Sequence, residues 1–207
     1  MALARATPQQ SAALDVTTHG EWGGGLSVAD HVTRERRLRG GWWPRTTHAG
    51  WLWTHGAEAV ASCETYEVQV GGRRPGRAWA IASVFVPPEH RGRGHASALL
   101  EALAADRAAE PEARALVLFS DLTRPELYAR LGFVARPAVD RIGPPDPDDP
   151  DDGRWTRFGE AELPLRLPPP PPDGFALAPS PAQLDWHLDQ ARTRAELTGG
   201  RRSARCG

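Results

Sequence analysis

Hydrophobic positions change their spacing in the middle of the chain, near residue 90. Val84, Phe85 and Val86 close a stretch rich in β-branched and aromatic residues, which is typical of a strand, and Pro87 and Pro88 end it. Beyond this point the apolar residues recur at helical spacing, and they are Ala96, Leu99, Leu100, Leu103 and Ala104. The pattern predicts a strand, a glycine-rich turn and a helix over residues 79–104.

Other apolar stretches predict further strands. Residues 60–70 should form a hairpin with the strand that ends at Val86, because a Gly-rich turn separates the two. The run A-L-V-L-F at 115–119 fits a buried strand beside that one, reached by a right-handed crossover. W-L-W at 51–53 predicts a strand whose rings fill a core or line a pocket. Another strand should start at Phe133-Val134.

Capping residues predict three more helices. Ser27, with Asp30 three residues later, should cap a helix with a thin apolar face that includes His31. A short helix should run from Pro125 and stop at Gly132. S-P-A-Q at 180–183 is a capping box for a helix that reaches about residue 197.

Composition divides the chain into segments. Residues 1 to about 13 are expected to be disordered, and residues 14–140 should form one folded domain. Residues 141–154 are rich in Pro and Asp and predict an acidic loop, because such a segment cannot build a core. Residues 155–198 predict a C-terminal segment with strand, polyproline and helix.

Charge and cysteine content exclude several classes of function. The 207 residues carry a net charge of −1, so the whole-chain charge does not favour nucleic acid, even though Arg and Trp are interleaved over residues 39–53. The two cysteines give neither a disulfide framework nor a metal quartet, and we expect no metal. No apolar run has the length of a signal-peptide core or a membrane span, which predicts a cytoplasmic protein with no membrane partner.

The turn H-R-G-R-G-H-A at 90–96 has the chemistry of an anion site. Gly92 and Gly94 let the backbone approach a ligand, the first amides of the helix have no partner inside it, and Arg91 and Arg93 add positive charge. A phosphate or diphosphate is the expected ligand. No Lys-Ser/Thr follows the glycines, which excludes a P-loop, and Ser97 stands where a dinucleotide motif needs Gly or Ala.

Three motifs resemble one known family. V-F-V-P-P-E-H-R-G-R-G-H-A-S at 84–97 contains Arg-x-x-Gly-x-Ala and resembles the acetyl-CoA diphosphate loop of the GNAT N-acetyltransferases. Y-A-R-L-G-F at 128–133 looks like the Y-x-x-x-G-F signature of the same enzymes. E-W-G-G at 21–24, A-S-C-E-T at 61–65 and W-H at 186–187 are similar to the fungal lysine N6-acetyltransferases. Those enzymes continue into a substantial C-terminal domain, of which residues 155–198 would be a remnant.

The resemblance implies an α/β GNAT fold, with a mixed and mostly antiparallel sheet flanked by helices. It also implies the residues that bind acetyl-CoA. The strand backbone should pair with the pantetheine amides, and the turn should hold the diphosphate, with a possible hydroxyl from the last residue. These residues are Val84, Phe85, Val86, Arg91, Gly92, Arg93, Gly94, His95, Ala96 and Ser97.

The expected chemistry is direct attack of a primary amine on the thioester within a ternary complex. A lysine amine has a pKa near 10.4, so only about one in 2,500 molecules is neutral at pH 7 and a base is useful. Glu64, acting directly or through water, is the first candidate for that base. Asp121 is the second candidate or an anchor for the ammonium. Trp22 begins a block at residues 22–45 whose arginines and Trp rings are expected to contact the substrate. By resemblance, Tyr128 would protonate the leaving thiolate.

We therefore expect an acetyl-CoA-dependent N-acetyltransferase whose leading acceptor is the ε-amine of free lysine. Two alternatives stay open at this point. One is acetylation of another small amine, such as an antibiotic or a polyamine. The other is a non-catalytic module that only binds acetyl-CoA. Release of CoA in the presence of an amine separates the enzymes from the module.

Overall fold

A computed structural model describes most of the first 134 residues and a smaller C-terminal part. The described residues are 1–72, 74–118, 125–134, 175–178, 180, 182–183, 185–187, 189–190, 193 and 196–197. The elements in chain order are β1 (Ala2–Arg5), α1 (Pro8–Trp22), α2 (Val28–Gly40), α3 (Trp42–Thr47), β2 (His48–His55), β3 (Glu58–Gly72), β4 (Gly76–Phe85), α4 (His95–Ala108), β5 (Ala113–Leu118), α5 (Pro125–Arg130) and β6 (Phe175–Ala178). The described residues between 182 and 197 are helical and are called the C-terminal helical segment below.

The strands form one mixed sheet in the order β1-β2-β3-β4-β5. All neighbouring strands are antiparallel except β4 and β5, which are parallel and are connected along the chain by α4. β6 pairs with β3 at residues 69–72, beyond the part of β3 that pairs with β2. This is the mixed, mostly antiparallel sheet that the resemblance implies, and the predicted β3–β4 hairpin and β4-α4-β5 unit are both confirmed.

Each face of the sheet carries its own hydrophobic core, because successive side chains of a strand point to opposite faces. On one face, Leu99, Leu100 and Leu103 of α4 are fully buried against β2, β3 and β4. On the other face, Trp43 of α3 packs with Tyr66, Val68 and Val70 of β3 and with Trp186. Helices therefore cover both faces.

The N-terminal residues are ordered, so the expected disorder over residues 1–13 is wrong. Residues 2–5 form the edge strand β1, which pairs with residues 51–54 of β2. Thr7 and Gln10 form a reciprocal capping box at the start of α1, and Pro8 occupies the first helical position. The capping signal is readable in the sequence, whereas the strand depends on a partner about 50 residues away.

The expected strand start at Phe133-Val134 is also wrong, since neither residue is in a strand. The amide of Phe133 donates to the carbonyl of Tyr128, and Gly132 adopts φ +84°. This arrangement is the turn that closes a helix C-terminus, and it uses the amide that a strand ladder would need. The Gly132 stop signal itself is confirmed.

The remaining helix starts agree with the sequence. Ser27 caps α2 by accepting from the amide of Asp30, and Ser180 accepts from the amide of Gln183. Asp121, the acidic loop at 141–154 and residues 155–174 lie outside the described residues. Among the helices that are described, none is long and apolar enough to cross a membrane.

Candidate active site

Two cavities meet on either side of the end of β4. The loop cleft, of about 870 Å³, lies between β4, the turn at 90–97 and α5. The helix cavity, of about 800 Å³, lies between α1, α2, β3 and the C-terminal helical segment. Glu21, Trp22, Ala82 and Ser83 line both. A molecule in one cavity can therefore touch a molecule in the other at Ala82–Ser83.

The loop cleft begins where β4 and β5 part. Their parallel pairing ends at Ile81 and Leu118, so beyond Ile81 the β5-facing edge of β4 has no strand partner among the described residues. Residues 84–86 line the cleft there. Backbone groups on such an edge are ready to pair with an extended ligand.

The turn before α4 has the backbone that an anion site needs. Gly92 and Gly94 have φ of +76° and +78°, and Gly94 is the N-cap of α4 without any side-chain capping bond. The first turn of α4, at His95, Ala96 and Ser97, lines the loop cleft. Its amides and the positive end of the helix dipole favour a negative group at this place.

The two arginines of this turn differ in position. Arg91 donates from Nη2 to Glu21 Oε1 at 2.5 Å and from Nε to the carbonyl of Val86 at 3.0 Å, and it lines the loop cleft. Arg93 is exposed and is not among the residues that line the cleft. The structure thus brings together nine of the ten residues that the resemblance implies for the cofactor, and Arg93 lies outside them.

Tyr128 lies in the wall of the loop cleft opposite β4. It is in α5, its ring packs edge-on against Phe133 at 6.0 Å between centroids, and it contacts the core under α4. Its backbone carbonyl accepts from Leu131 and Phe133. A half-buried ring anchored in this way holds its phenol at a fixed place in the cleft.

Ser83 stands at the junction of the cavities in an uncommon conformation. Its φ is +53°, the one positive value at a residue other than glycine among the described residues. The register between β3 and β4 shifts between Ser62 and Glu64, just opposite this residue. The distortion lets Ser83 Oγ donate to Glu64 Oε2 at 3.2 Å. Strained residues of this kind cluster at functional sites.

Glu64 is held by four polar side chains in the helix cavity. Arg39 donates to Glu64 Oε1 at 3.2 Å and His48 Nε2 lies 3.1 Å from the same oxygen, while Ser83 and the hydroxyl of Tyr66 reach Oε2. Burial acts to raise the pKa of Glu64, but the hydrogen bond and charge of His48 and the charge of Arg39 outweigh it. The pKa of Glu64 is therefore below its usual value.

A second carboxylate shares the same guanidinium. Asp15 of α1 is buried and forms an ion pair with Arg39 Nη2. Burial raises the pKa of Asp15, although the hydrogen bond and charge of Arg39 oppose the rise. The sequence analysis missed Asp15, and it included Arg39 only as one of the arginines of the block at residues 22–45. The two lie 24 residues apart and only the packing of α1 on α2 brings them together.

An aromatic wall closes the helix cavity on the side of the C-terminal helical segment. Trp186 packs against Tyr66 and Trp43 at 5.0 and 5.1 Å between ring centroids, and its Nε1 donates to the carbonyl of Leu38 at 2.9 Å. Trp186 and His187 line the cavity. Burial lowers the pKa of His187, which keeps its ring neutral at pH 7.

Cys63 also lines this cavity, but its thiol is unreactive. The thiol is buried and burial raises its pKa to about 12, with a smaller effect from the charge of Glu64. A thiol of this pKa is protonated at neutral pH and is not a nucleophile. The described residues hold no group of three or more His, Cys, Asp or Glu side chains arranged for a metal ion.

The expected catalytic and substrate residues are divided between the cavities. Tyr128 is in the loop cleft, Glu64 is in the helix cavity, and Trp22 lines both, with its ring against Phe85 at 6.0 Å. The fourth, Asp121, lies outside the described residues. Ser83 was also missed by the sequence analysis, although a lone serine within the apolar stretch I-A-S-V-F is an available signal.

Comparison with known proteins identifies this arrangement. The profile of the acetyltransferase (GNAT) family matches residues 21–133, more than half of the chain. The chain belongs to the GNAT family. A lysine acetyltransferase from Yarrowia lipolytica is 35% identical over 95 residues, which cover 42% of this chain and 24% of that protein. The match thus spans about a quarter of the length of this curated relative.

Solved structures share the GNAT fold. A Trypanosoma brucei acetyltransferase superposes with a TM-score of 0.52 at 21% identity, covering 69% of this chain and 98% of that one. A predicted acetyltransferase from Clostridium acetobutylicum, whose structure is with acetyl-CoA, gives a TM-score of 0.52 at 15% identity, over 69% and 95% of the two chains. These identities support the common fold alone.

The GNAT family uses acetyl-CoA, and the residues of the loop cleft fit it. A Cβ built on Gly92 or Gly94 meets nothing within 4 Å, so the space in front of the turn is open. The first turn of α4 faces this space and the free edge of β4 continues from it. A diphosphate at the turn and an extended arm along β4 match these two features.

Proposed function

We propose that the protein transfers the acetyl group of acetyl-CoA directly to a primary amine, and that the preferred acceptor is the ε-amine of free lysine. The observation that carries the proposal is the meeting of the two cavities at Ala82–Ser83. One cavity has the backbone of a diphosphate site and the other is lined by charged side chains of both signs. A ternary complex needs this arrangement, because donor and acceptor must be in contact before transfer.

The loop cleft supplies the donor side. Acetyl-CoA provides the acetyl group as a thioester. The amides at the start of α4 would hold its diphosphate and the backbone of residues 84–86 would pair with its pantetheine arm. Tyr128 lies in the wall where its phenol can give a hydrogen bond or a proton to the departing thiolate. A phenol of pKa near 10 suits a thiol of pKa near 8.5.

The helix cavity supplies the acceptor side, and its charge favours a cation. Its interior carboxylates are Asp15, Glu35 and Glu64, whereas its guanidiniums are Arg34 and Arg39. Glu21, at the junction, is paired with Arg91. Because Arg39 is shared by Asp15 and Glu64, these groups together carry one net negative charge. Lysine, with two ammonium groups and one carboxylate, carries one net positive charge and balances it.

The reaction needs one proton to leave and one to arrive. The neutral amine nitrogen attacks the thioester carbonyl carbon, the C–S bond breaks, and the sulfur leaves as a thiolate. The nitrogen loses a proton and the thiolate gains one, for which Tyr128 is the proposed donor. No oxidant or metal is required for this balance.

Glu64 is proposed to orient the amine at the junction. Direct transfer of a proton from an ammonium of pKa near 10.4 to a carboxyl below its usual 4.3 is uphill by more than about 8 kcal/mol. The low pKa therefore favours an anchoring role over strong basicity. We propose that Glu64 holds the ammonium beside Ser83 and that the proton of the ammonium passes to water in the cavity. This role differs from the general base expected from the sequence, because Glu64 positions the amine and does not itself take the proton.

Steady-state release of the CoA thiol tests the proposal with an amine panel. We expect kcat/KM for lysine to exceed that for cadaverine, which lacks only the carboxylate, by about 10–100-fold. We also expect log kcat/KM to rise with pH between 6 and 9 with a slope near one, because only the neutral amine reacts. Cadaverine at or above lysine would replace lysine with a general amine acceptor. Binding of acetyl-CoA without release by any amine would leave a non-catalytic module.

A further inference from the structure

Ser83 combines an accessible side chain with a strained backbone at the point where the two cavities meet. It lines both cavities and is exposed. Its φ of +53° is a conformation that glycine adopts without a penalty and that other residues rarely adopt. If only the shape of the backbone mattered, glycine would supply it without strain. What serine adds to glycine is a hydroxyl group, and this hydroxyl calls for an explanation.

The hydrogen bond of this hydroxyl contributes little to the stability of the fold. Ser83 Oγ lies 3.2 Å from Glu64 Oε2, at a position that is open to solvent. Water satisfies both groups in the unfolded chain, so the net gain from such a bond on folding is small. A molecule that binds beside the hydroxyl explains its presence better than the fold does.

The bond to Glu64 leaves the oxygen of Ser83 as a hydrogen-bond acceptor. The pKa of Glu64 is below its usual value, so the carboxylate is ionised at neutral pH and can only accept. Ser83 therefore gives its one hydroxyl proton to Glu64. The two lone pairs of Ser83 Oγ remain, and they lie next to a carboxylate. Two neighbouring hydrogen-bond acceptors suit a group that has several N–H donors.

We propose that Ser83 Oγ accepts a hydrogen bond from the substrate amine and that, together with Glu64, it sets the direction of the amine lone pair. This inference rests on the proposed function and deepens it, because it names a second contact of the reacting nitrogen. The ammonium arrives with three N–H bonds and loses one proton to water. The two N–H bonds that remain donate to Glu64 and Ser83. The lone pair then points away from both.

The places of the two side chains in the cavities support this orientation. Glu64 lines the helix cavity alone, whereas Ser83 lines both cavities. An amine held by both side chains lies on the helix-cavity side of the junction, and the loop cleft with the thioester is on its other side. The lone pair is thus directed toward the carbonyl carbon that it attacks. Such positioning affects the rate strongly, because a misplacement of about 1 Å can cost about 10²-fold.

Two substitutions at Ser83 separate the effect of the hydroxyl from that of the backbone. Ser83→Ala removes the hydroxyl and keeps the strain, whereas Ser83→Gly removes both. We expect both variants to lower kcat/KM by about 10–100-fold, for lysine and for cadaverine alike, because the contact involves only the reacting nitrogen. The Kd of CoA should change by less than threefold. A loss of kcat/KM in only one of the two variants, or in neither, overturns the proposal.

Ser11→Ala is the matched control for these variants. Ser11 also lines the helix cavity, and the substitution removes the same hydroxyl group from another part of its wall. Its kcat/KM should stay within twofold of the wild-type value. An equal loss in Ser11→Ala and Ser83→Ala would show that the cavity responds to any lost hydroxyl, which overturns the specific contact.

A double-variant comparison shows whether Ser83 contacts the amine or acts only through Glu64. In the Glu64→Ala background, Ser83→Ala should lower kcat/KM by a further threefold or more, because the hydroxyl still contacts the amine. The absence of any further loss would mean that Ser83 only holds Glu64 in place, and it overturns the contact.

Calorimetric titration of lysine into the complex with CoA tests the contact without catalysis. We expect Ser83→Ala to raise the Kd of lysine by about 3–10-fold. If the wild-type protein acetylates neither lysine nor cadaverine, the proposed function fails, and a lysine Kd that still depends on the Ser83 hydroxyl supports the contact. Absence of lysine binding in a wild-type protein that acetylates neither amine overturns the contact as well.

Discussion

A negative charge at the N-cap of α4 should weaken CoA binding, and Gly94 offers a controlled way to place it. Its φ of +78° costs an ordinary L-residue about 1–2 kcal/mol, and an added Cβ meets nothing within 4 Å. The strain of a substitution is therefore in the backbone. Gly94→Asp and Gly94→Asn have nearly the same shape and both tolerate this conformation, so their difference isolates the charge.

The size of that difference follows from Coulomb's law. A carboxylate about 5 Å from one diphosphate charge is repelled by about 1–3 kcal/mol for an effective dielectric constant between 80 and 20. This corresponds to a Kd for CoA that is about 5–150-fold higher in Gly94→Asp than in Gly94→Asn. The gap should narrow in high salt, because the turn is exposed and salt screens such pairs.

Calorimetric titration of CoA into the wild-type protein and both variants measures the effect. Melting temperatures of the two variants should agree, which confirms that both are equally folded. A Kd for Gly94→Asp equal to that for Gly94→Asn, at low salt and in folded proteins, would refute a diphosphate site at this helix terminus. A gap that does not change with salt would show that the effect is steric.

Two other side chains give predictions of the same kind. Tyr128→Phe should lower kcat by about 10²-fold or more without changing the Kd of CoA, because the phenol acts only as charge reaches the sulfur; an unchanged kcat returns Tyr128 to a packing role. Arg39→Met should lower the free energy of unfolding at pH 7 by about 3–5 kcal/mol, because it leaves the carboxylate of Asp15 buried without its cation and removes one of the donors to Glu64. The pKa of Asp15 is already raised by burial and rises further without Arg39, so this loss is complete above the pKa of Asp15 in the variant and disappears as the pH falls below the pKa of Asp15 in the wild-type protein. A loss in urea titrations that is equal at pH 7 and pH 4 contradicts this, and Asp15→Asn in the Arg39→Met background should recover part of the stability.

The strand, turn and helix that form the loop cleft could be predicted from the sequence because their signals are local. The change from strand to helical spacing, the two prolines and the two glycines all lie within residues 84–97, and the structure has β4, the turn and α4 there. The same holds for the caps at Ser27 and Ser180, which act over three residues. Patterns of this kind can be read from the sequence because the residues that interact are close together along the chain.

The helix cavity could not be predicted in the same way because it is built by distant contacts. Arg39 meets Asp15 and Glu64 across 24 and 25 residues, and Trp186 meets Leu38 across 148. No periodicity relates such residues to one another. The arginine content of the chain added to the difficulty, since a buried Arg39 and an exposed Arg93 look alike in the sequence.

The separation of the two cavities along the chain has a consequence for how this protein can evolve. Most residues that line the helix cavity belong to residues 11–66 and to the C-terminal helical segment. Most residues that line the loop cleft belong to residues 81–97 and 118–130. The shared positions are Glu21, Trp22, Ala82 and Ser83. Substitutions in α1 and α2 away from Glu21 and Trp22 therefore alter the helix cavity and leave the walls of the loop cleft unchanged. Ser83 lacks this freedom, because its strained backbone lies in the walls of both cavities and a substitution there changes both.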